Sequence, residues 1–184
     1  MNGYISIFRK SKGSIICLLD SDDHFHKSKI IKVLKVFQKN RKVNFVQNLP
    51  YIKGAKKLKR TNKNNPMSFW PYLAPESCIS FRKKFMIDFL KINKKYLNKF
   101  ENVWMGFRMG VHSFFNQESF FTLSENLTFY ESLGESKKYQ FLGKNWFKRR
   151  NDSFDYLKKI LKGSMSLNYN LDYLITKFLT SFYK

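Results

Sequence analysis

Acidic residues are scarce in this chain, with 13 Asp and Glu against 35 Lys and Arg and a formal charge of +22. Such a balance invites a nucleic-acid reading, but the chain has no helix-turn-helix, zinc-finger or RNA-binding signature. Lys greatly outnumbers Arg, and Lys, Asn, Ile and Phe are all abundant, as an AT-rich coding sequence produces. The charge is also spread along the chain rather than gathered on one arm. Nucleic acid is therefore set aside as a partner, leaving a surface suited to anionic lipid headgroups or nucleotide diphosphates. Cysteine is nearly missing as well. Cys17 and Cys78 offer neither a disulfide framework nor metal-ligand spacing, and they read as reduced, buried thiols of a cytosolic protein. No apolar run reaches the ~20 residues of a spanning helix, and Met1–Lys12 lacks the continuous apolar segment of a signal peptide. A Gly-rich phosphate loop and Ser-His-Asp or Cys-His arrangements are absent too.

What is present suffices for one folded domain: 184 residues, 43% hydrophobic and 18% aromatic. Ser14–Leu19, opened by Gly13 and closed by acids, reads as a fully buried parallel strand. Ser28 is placed to cap a helix in which Ile30, Ile31, Val33, Leu34 and Phe37 face inward and lysines face out. Val43–Leu49 alternates like a second strand, and the strand–helix–strand order implies an α/β layer with a right-handed crossover. Lys53–Pro66 is basic, Asn-rich and aperiodic, and reads as a mobile loop. Further along, Cys78–Phe81 suggests a strand. Lys83–Ile92 suggests a helix with Phe85, Phe89 and Leu90 inward, and Phe100–Phe115 an aromatic helix. Phe120–Tyr130 is strand-like with a turn near Glu125-Asn126. From Ser153 the tail is helical, in two pieces separated near Gly163-Ser164.

Asp20, Asp22 and Asp23 stand directly after the most apolar strand, where open α/β sheets bind ligands. Carboxylates spaced this way can hold a hard divalent cation against a diphosphate. They can equally form an Asp-rich turn that caps the next helix, and spacing alone leaves both readings open. The whole segment Lys12–Asp23, followed by Lys29-Ile30, resembles the part of family 2 glycosyltransferases that carries their Asp-x-Asp motif, a Gly-led apolar strand ending in Leu-Asp-Ser-Asp-Asp. The resemblance implies a GT-A fold, a Rossmann-like mixed sheet flanked by helices. It also implies a metal (Mn2+ or Mg2+) at Asp20 and Asp22, with Asp23 accessory, facing a nucleoside-diphosphate sugar.

Two later segments extend the resemblance. Pro75–Lys83 is similar to the family's Pro-Thr-Ser-x-x-Ser-Phe-Arg stretch, which brings Ser77 near the donor; Glu76 stands where Thr is common. Trp146–Arg150 looks like a Trp-x-x-Arg-Arg patch whose Trp146, Arg149 and Arg150 would meet a diphosphate or an anionic acceptor. The same residues also fit a basic helix start with a Trp anchor.

An inverting transfer needs a carboxylate to take the acceptor's proton. Val103–Arg108 is similar to a Trp-Leu-Asp-Phe-Arg segment that carries this base, yet position 106 holds glycine. Glu101 is the remaining candidate, provided that the helix starts late and leaves it on the preceding loop. The family's first strands are expected before Met1, so the chain reads as a fragment, a degenerate frame or one piece of a split protein. Weak uridine-nucleotide binding is the corresponding expectation.

His24 and His26 read as loop histidines rather than metal ligands, and His112 as a core residue. Asn126-Leu127-Thr128 fits a glycosylation acceptor, without consequence in a chain that lacks a secretion signal. The basic, aromatic stretch Leu157–Tyr183 either lies on an anionic membrane surface or packs on the domain. The expectation is thus an α/β, GT-A-type domain lacking its first βα units over residues 1–150, with a helical tail over 151–184. Its function would be metal-assisted transfer from a nucleoside-diphosphate sugar to a glycan or lipid-linked acceptor in cell-surface polysaccharide biosynthesis. It would act in the cytoplasm or at the inner face of the membrane. A non-catalytic binding subunit that keeps the fold is the alternative.

Overall fold

The computed structural model describes residues 2–52, 68–96, 98–116, 119–131, 138–161 and 170–182. Five strands form one mixed sheet: β1 (Ile15–Cys17), β2 (His24–Phe25), β3 (Phe45–Tyr51), β4 (Ile79–Arg82) and β5 (Phe120–Phe129), in the order β1-β4-β3-β5-β2. Among the described residues six α-helices surround it: α1 (Asn2–Lys10), α2 (Lys29–Lys39), α3 (Lys83–Asn93), α4 (Met105–Asn116), α5 (Lys144–Ile160) and α6 (Leu171–Ser181). The fold is α/β, as expected.

β3 is the spine of the sheet. It runs parallel to β5 and antiparallel to β4, and six of its seven residues are buried. Consecutive strand residues face opposite sides, so Phe45 and Val46 seed two separate cores. On the Phe45 side, Phe8 of α1, Phe85 and Phe89 of α3, and Met105 and Met109 of α4 cover the sheet. On the Val46 side, α2 brings Val33 and Phe37. A third cluster joins Phe107 and Val111 of α4 to Phe154 and Leu157 of α5 and Tyr173 of α6, so the last two helices pack on α4.

Several expectations need correction. β1 is half-buried, and its described neighbour β4 pairs with it antiparallel, not parallel. Ser28 makes no side-chain cap on α2, because its Oγ lies 2.8 Å from His26 Nδ1. Ile30, Ile31 and Leu34 point outward, while Lys29 is buried in their stead. β3 is buried on both faces rather than alternating. Phe120–Tyr130 contains no turn: β5 runs through, and the irregularity appears as register shifts against β3 between Asn48 and Pro50. α5 begins at Lys144, well before Ser153. α1 was not foreseen; it buries Phe8 on the sheet. The expected loop at Lys53–Pro66 and the break near Gly163-Ser164 lie outside the described residues.

Candidate functional site

The acidic cluster sits where β1 ends. Asp20 and Asp22 are exposed, and Asp23 turns inward with 8% of its surface accessible. The local turn is closed by Asp23 N–H donating to the Asp20 carbonyl at 3.2 Å. Asp23 Oδ1 accepts the N–H of Glu131 at 2.9 Å, tying the cluster to the end of β5. Its Oδ2 is buried without a hydrogen-bond partner among the described residues, a costly state for a carboxylate oxygen.

Ser77 belongs to the same place. It is buried in a 3-10 turn, Glu76–Cys78, just before β4, and its Oγ accepts the Asp20 N–H at 2.9 Å. Loss of hydration around the Asp20 carboxyl raises its pKa, the Ser77 hydroxyl pulls it back, and the Asp23 and Asp22 charges raise it further. The Asp23 and Asp22 charges thus disfavour ionised Asp20, a tension that a nearby cation relieves. Among the described residues no three His, Cys, Asp or Glu side chains stand close enough together to chelate a metal by themselves. A cation here would draw its remaining oxygens from a ligand and water, the usual arrangement for Mg2+.

Lys29 underlies the cluster, and in the sequence it is one more lysine on a basic helix. Its ammonium is fully buried, lies 3.7 Å from the Phe25 ring centroid, and donates to the Ser77 carbonyl and to Thr128 Oγ1, the latter at 3.0 Å. It thereby ties the turn that carries Ser77 to β5. Burial brings the Lys29 pKa down from 10.5 to about 8, with Cys78, Cys17 and Asp23 acting the other way. Between these two values the unfolded chain holds a proton that the folded chain has released, so stability gains as pH rises through that window. Relative to K29M, the wild-type melting temperature is expected to climb between pH 8 and 10.5. A constant difference across that window would show that Lys29 is not desolvated in this way.

The other candidates divide. Arg149 lies 3.7 Å from the Trp104 ring centroid and 4.1 Å from that of Tyr139, with its charge acting on the Glu76 carboxyl. Arg150 instead pairs with Asp172 of α6, its Nε 3.0 Å from Oδ1, and lies over Trp70. Trp146 packs edge-on against Phe141 and Phe147. Glu101 is exposed in the turn before α4, because that helix starts only at Met105. Glu76, which stands where Thr is common in the family stretch, has contacts of its own. It is half-buried, and its Oε1 accepts the Gly106 N–H at 2.9 Å. His24 stacks on Phe129, His26 is held by Ser28, and His112 is buried with its pKa brought down to about 4 by desolvation.

A profile of the family described as "Glycosyl transferase family 2" matches residues 2–123, two thirds of the chain and all of the acidic cluster. The chain belongs to this glycosyltransferase family. Among curated proteins none matches. Solved structures of S. aureus TarS share the fold. Residues 1–349 in complex with UDP-GlcNAc give a TM-score of 0.54 at 9% identity, over 97% of this chain and 50% of that one. The UDP complex gives 0.50 at 7%, over 96% and 47%. This family 2 chain thus spans about half the length of the TarS structures it matches. At such low identity the likeness shows fold alone, and the fold is that of GT-A-like glycosyltransferases. No helix among the described residues is long and apolar enough to cross a membrane.

Proposed function

We propose that this chain carries the donor seat of a glycosyltransferase that moves a sugar from a nucleoside diphosphate to a hydroxyl of a glycan or lipid-linked acceptor, as cell-surface polysaccharide assembly requires. The observation that carries the reading is the junction of Asp20, Asp22 and Asp23 with Ser77 at the end of β1. The chemistry suits a hard cation held by two exposed carboxylates, with its remaining oxygens drawn from a ligand and water. Asp20 and Asp22 would hold Mn2+ or Mg2+, which when bound neutralises charge on the departing diphosphate. Asp23 holds the cluster against β5, and Ser77 fixes the backbone at Asp20. Arg149, stacked between two aromatic rings, is the cation assigned to the donor diphosphate or an anionic acceptor. Trp146 stays a candidate donor contact, whereas Arg150 serves α6 through Asp172. The TarS structures named for UDP and UDP-GlcNAc make a uridine diphosphate sugar the first donor to test. Asp20→Asn and Asp22→Asn together are expected to abolish cation-dependent donor binding. Glycine at 106 favours the second reading, a binding subunit without turnover. Release of UDP from UDP-GlcNAc separates the two.

The tail supports a place at the membrane face. α6 buries Tyr173 and Thr176 and turns Leu171, Leu174, Ile175, Phe178 and Phe182 outward, with Phe178 62% exposed. These recur at helical spacing, as in helices that lie in a lipid interface, and the net charge of +22 suits anionic headgroups. L174S/F178S is expected to keep the wild-type melting temperature and to lose sedimentation with phosphatidylglycerol vesicles. Unfolding of this variant, or undiminished vesicle binding, would count against the surface role.

A further inference from the structure

Transfer to a hydroxyl requires a group that takes its proton, and position 106, where the resemblance puts that group, holds glycine. The structure gives a physical reason for the glycine. A Cβ at 106 would stand 2.9 Å from Glu76 Cγ and 2.9 Å from Ile79 Cδ1, closer than real side chains approach. The volume that a residue at 106 would use is taken by the Glu76 side chain, whose Oε1 accepts the Gly106 N–H. Glu76 is also the immediate neighbour of Ser77, which holds the Asp20 end of the acidic cluster.

We propose that Glu76 is the proton acceptor of this site, its side chain, together with Ile79, crowding the space that a side chain at 106 would enter. The assignment rests on the donor-seat reading and deepens it. Several other described carboxylates are committed elsewhere: Asp152 accepts from Asn102 at 2.6 Å, Asp172 from Arg150 at 3.0 Å and Asp155 from Asn151 at 3.3 Å, and Glu125 pairs with Lys32. Glu101 is exposed in the turn before α4 and is the rival that the test below includes. Glu76 is half-buried. Desolvation raises its pKa, which strengthens it as a base, against the lowering effect of the Gly106 N–H, the Arg149 charge and the Met105 N–H. The Gly106 contact uses one carboxylate oxygen as an anchor at the start of α4. The Met105 N–H bonds the same carboxylate, whose lone pairs left over from these two contacts can take the acceptor's proton.

In the reaction, the acceptor O–H proton passes to the Glu76 carboxylate as the acceptor oxygen bonds to the anomeric carbon of the sugar. The bond from that carbon to the diphosphate oxygen breaks, and its electron pair leaves with the nucleoside diphosphate. With water as acceptor the products are the free sugar and UDP.

The test is hydrolysis of UDP-GlcNAc at millimolar donor with Mn2+, alongside donor binding followed by NMR. E76Q keeps the shape and the accepting oxygen but cannot take a proton. It is expected to melt with the wild type, to leave donor KM unchanged and to lower kcat about 100-fold or more. E76A/G106D, which moves the carboxylate into the vacated space, is expected to regain a measurable part of the rate lost in E76A. A folded E76Q within about twofold of wild type overturns the assignment, as does a loss confined to E101Q. If E76Q fails to fold, a folded E76A/G106D decides: turnover supports the assignment and inactivity overturns it. Wild-type protein that binds donor without releasing UDP overturns the role of Glu76 but leaves the donor seat standing. Absence of both binding and turnover sinks the two together.

Discussion

R108M is expected to lower unfolding stability by about 3–5 kcal/mol, enough to leave a domain of ordinary stability marginal. The Arg108 guanidinium is fully buried and gathers carbonyls from one loop. Nε donates to Val103 at 2.9 Å, one terminal nitrogen to Tyr96 at 2.8 Å, and the other to Lys99 and Phe100, each at 2.8 Å. It also lies 5.3 Å from the Tyr156 ring centroid, linking α4 to α5. Methionine of similar length would fill the space and orphan these carbonyls, each worth about 1–3 kcal/mol when buried without a partner. The loop would also lose what holds Phe100 at a φ of 59°, a left-handed conformation that costs a non-glycine residue about 1 kcal/mol or more. Urea denaturation measures the difference. A change below about 1 kcal/mol would mean that water replaces the guanidinium, and that the loop does not depend on it.

D20N/D22N is expected to abolish cation-dependent donor binding, a loss of at least about 100-fold given the charge-assisted contacts removed. The fold should survive, since both residues are exposed. Without cation the variant should be no less stable than wild type, and the D20N change alone should gain slightly. The folded Asp20 pKa lies above its unfolded value of 3.8, so ionised Asp20 costs stability at neutral pH, and that cost is lost as pH falls through the folded pKa towards 3.8. Function held at some expense of stability is the pattern of an active site. Thermal melts with and without Mg2+ and donor show both effects. A variant less stable than wild type in the absence of ligand would make the three acids a structural turn, the reading that their spacing alone leaves open.

Reading the chain in order located the acidic cluster, because an apolar run closed by acids is a local pattern and the strand end is its structural consequence. The helix at α3 was legible for the same reason, since Phe85 and Phe89 recur at one helical turn and both are buried. α2 was misread because periodicity weighs residue types and not partners. Lys29 is buried there through an aromatic ring and two oxygen acceptors that lie 48 and 99 residues away in sequence, and this turns Ile30 and Ile31 outward. α4 starts five residues later than its aromatic pattern suggests, at Met105 rather than Phe100, because Arg108 holds the carbonyls of the preceding loop in a non-helical path. The contact of Glu76 with Gly106 is not legible in the sequence, since the two lie 30 residues apart and no local pattern joins them.

The most direct measurement is an NMR titration of the backbone amides with UDP-GlcNAc, with and without Mg2+. The account predicts shifts at Asp20, Ser21, Asp22, Asp23 and Ser77 that require the cation and vanish in D20N/D22N. No shift at these amides up to millimolar donor, or the same shifts without cation, would contradict the donor seat at the end of β1.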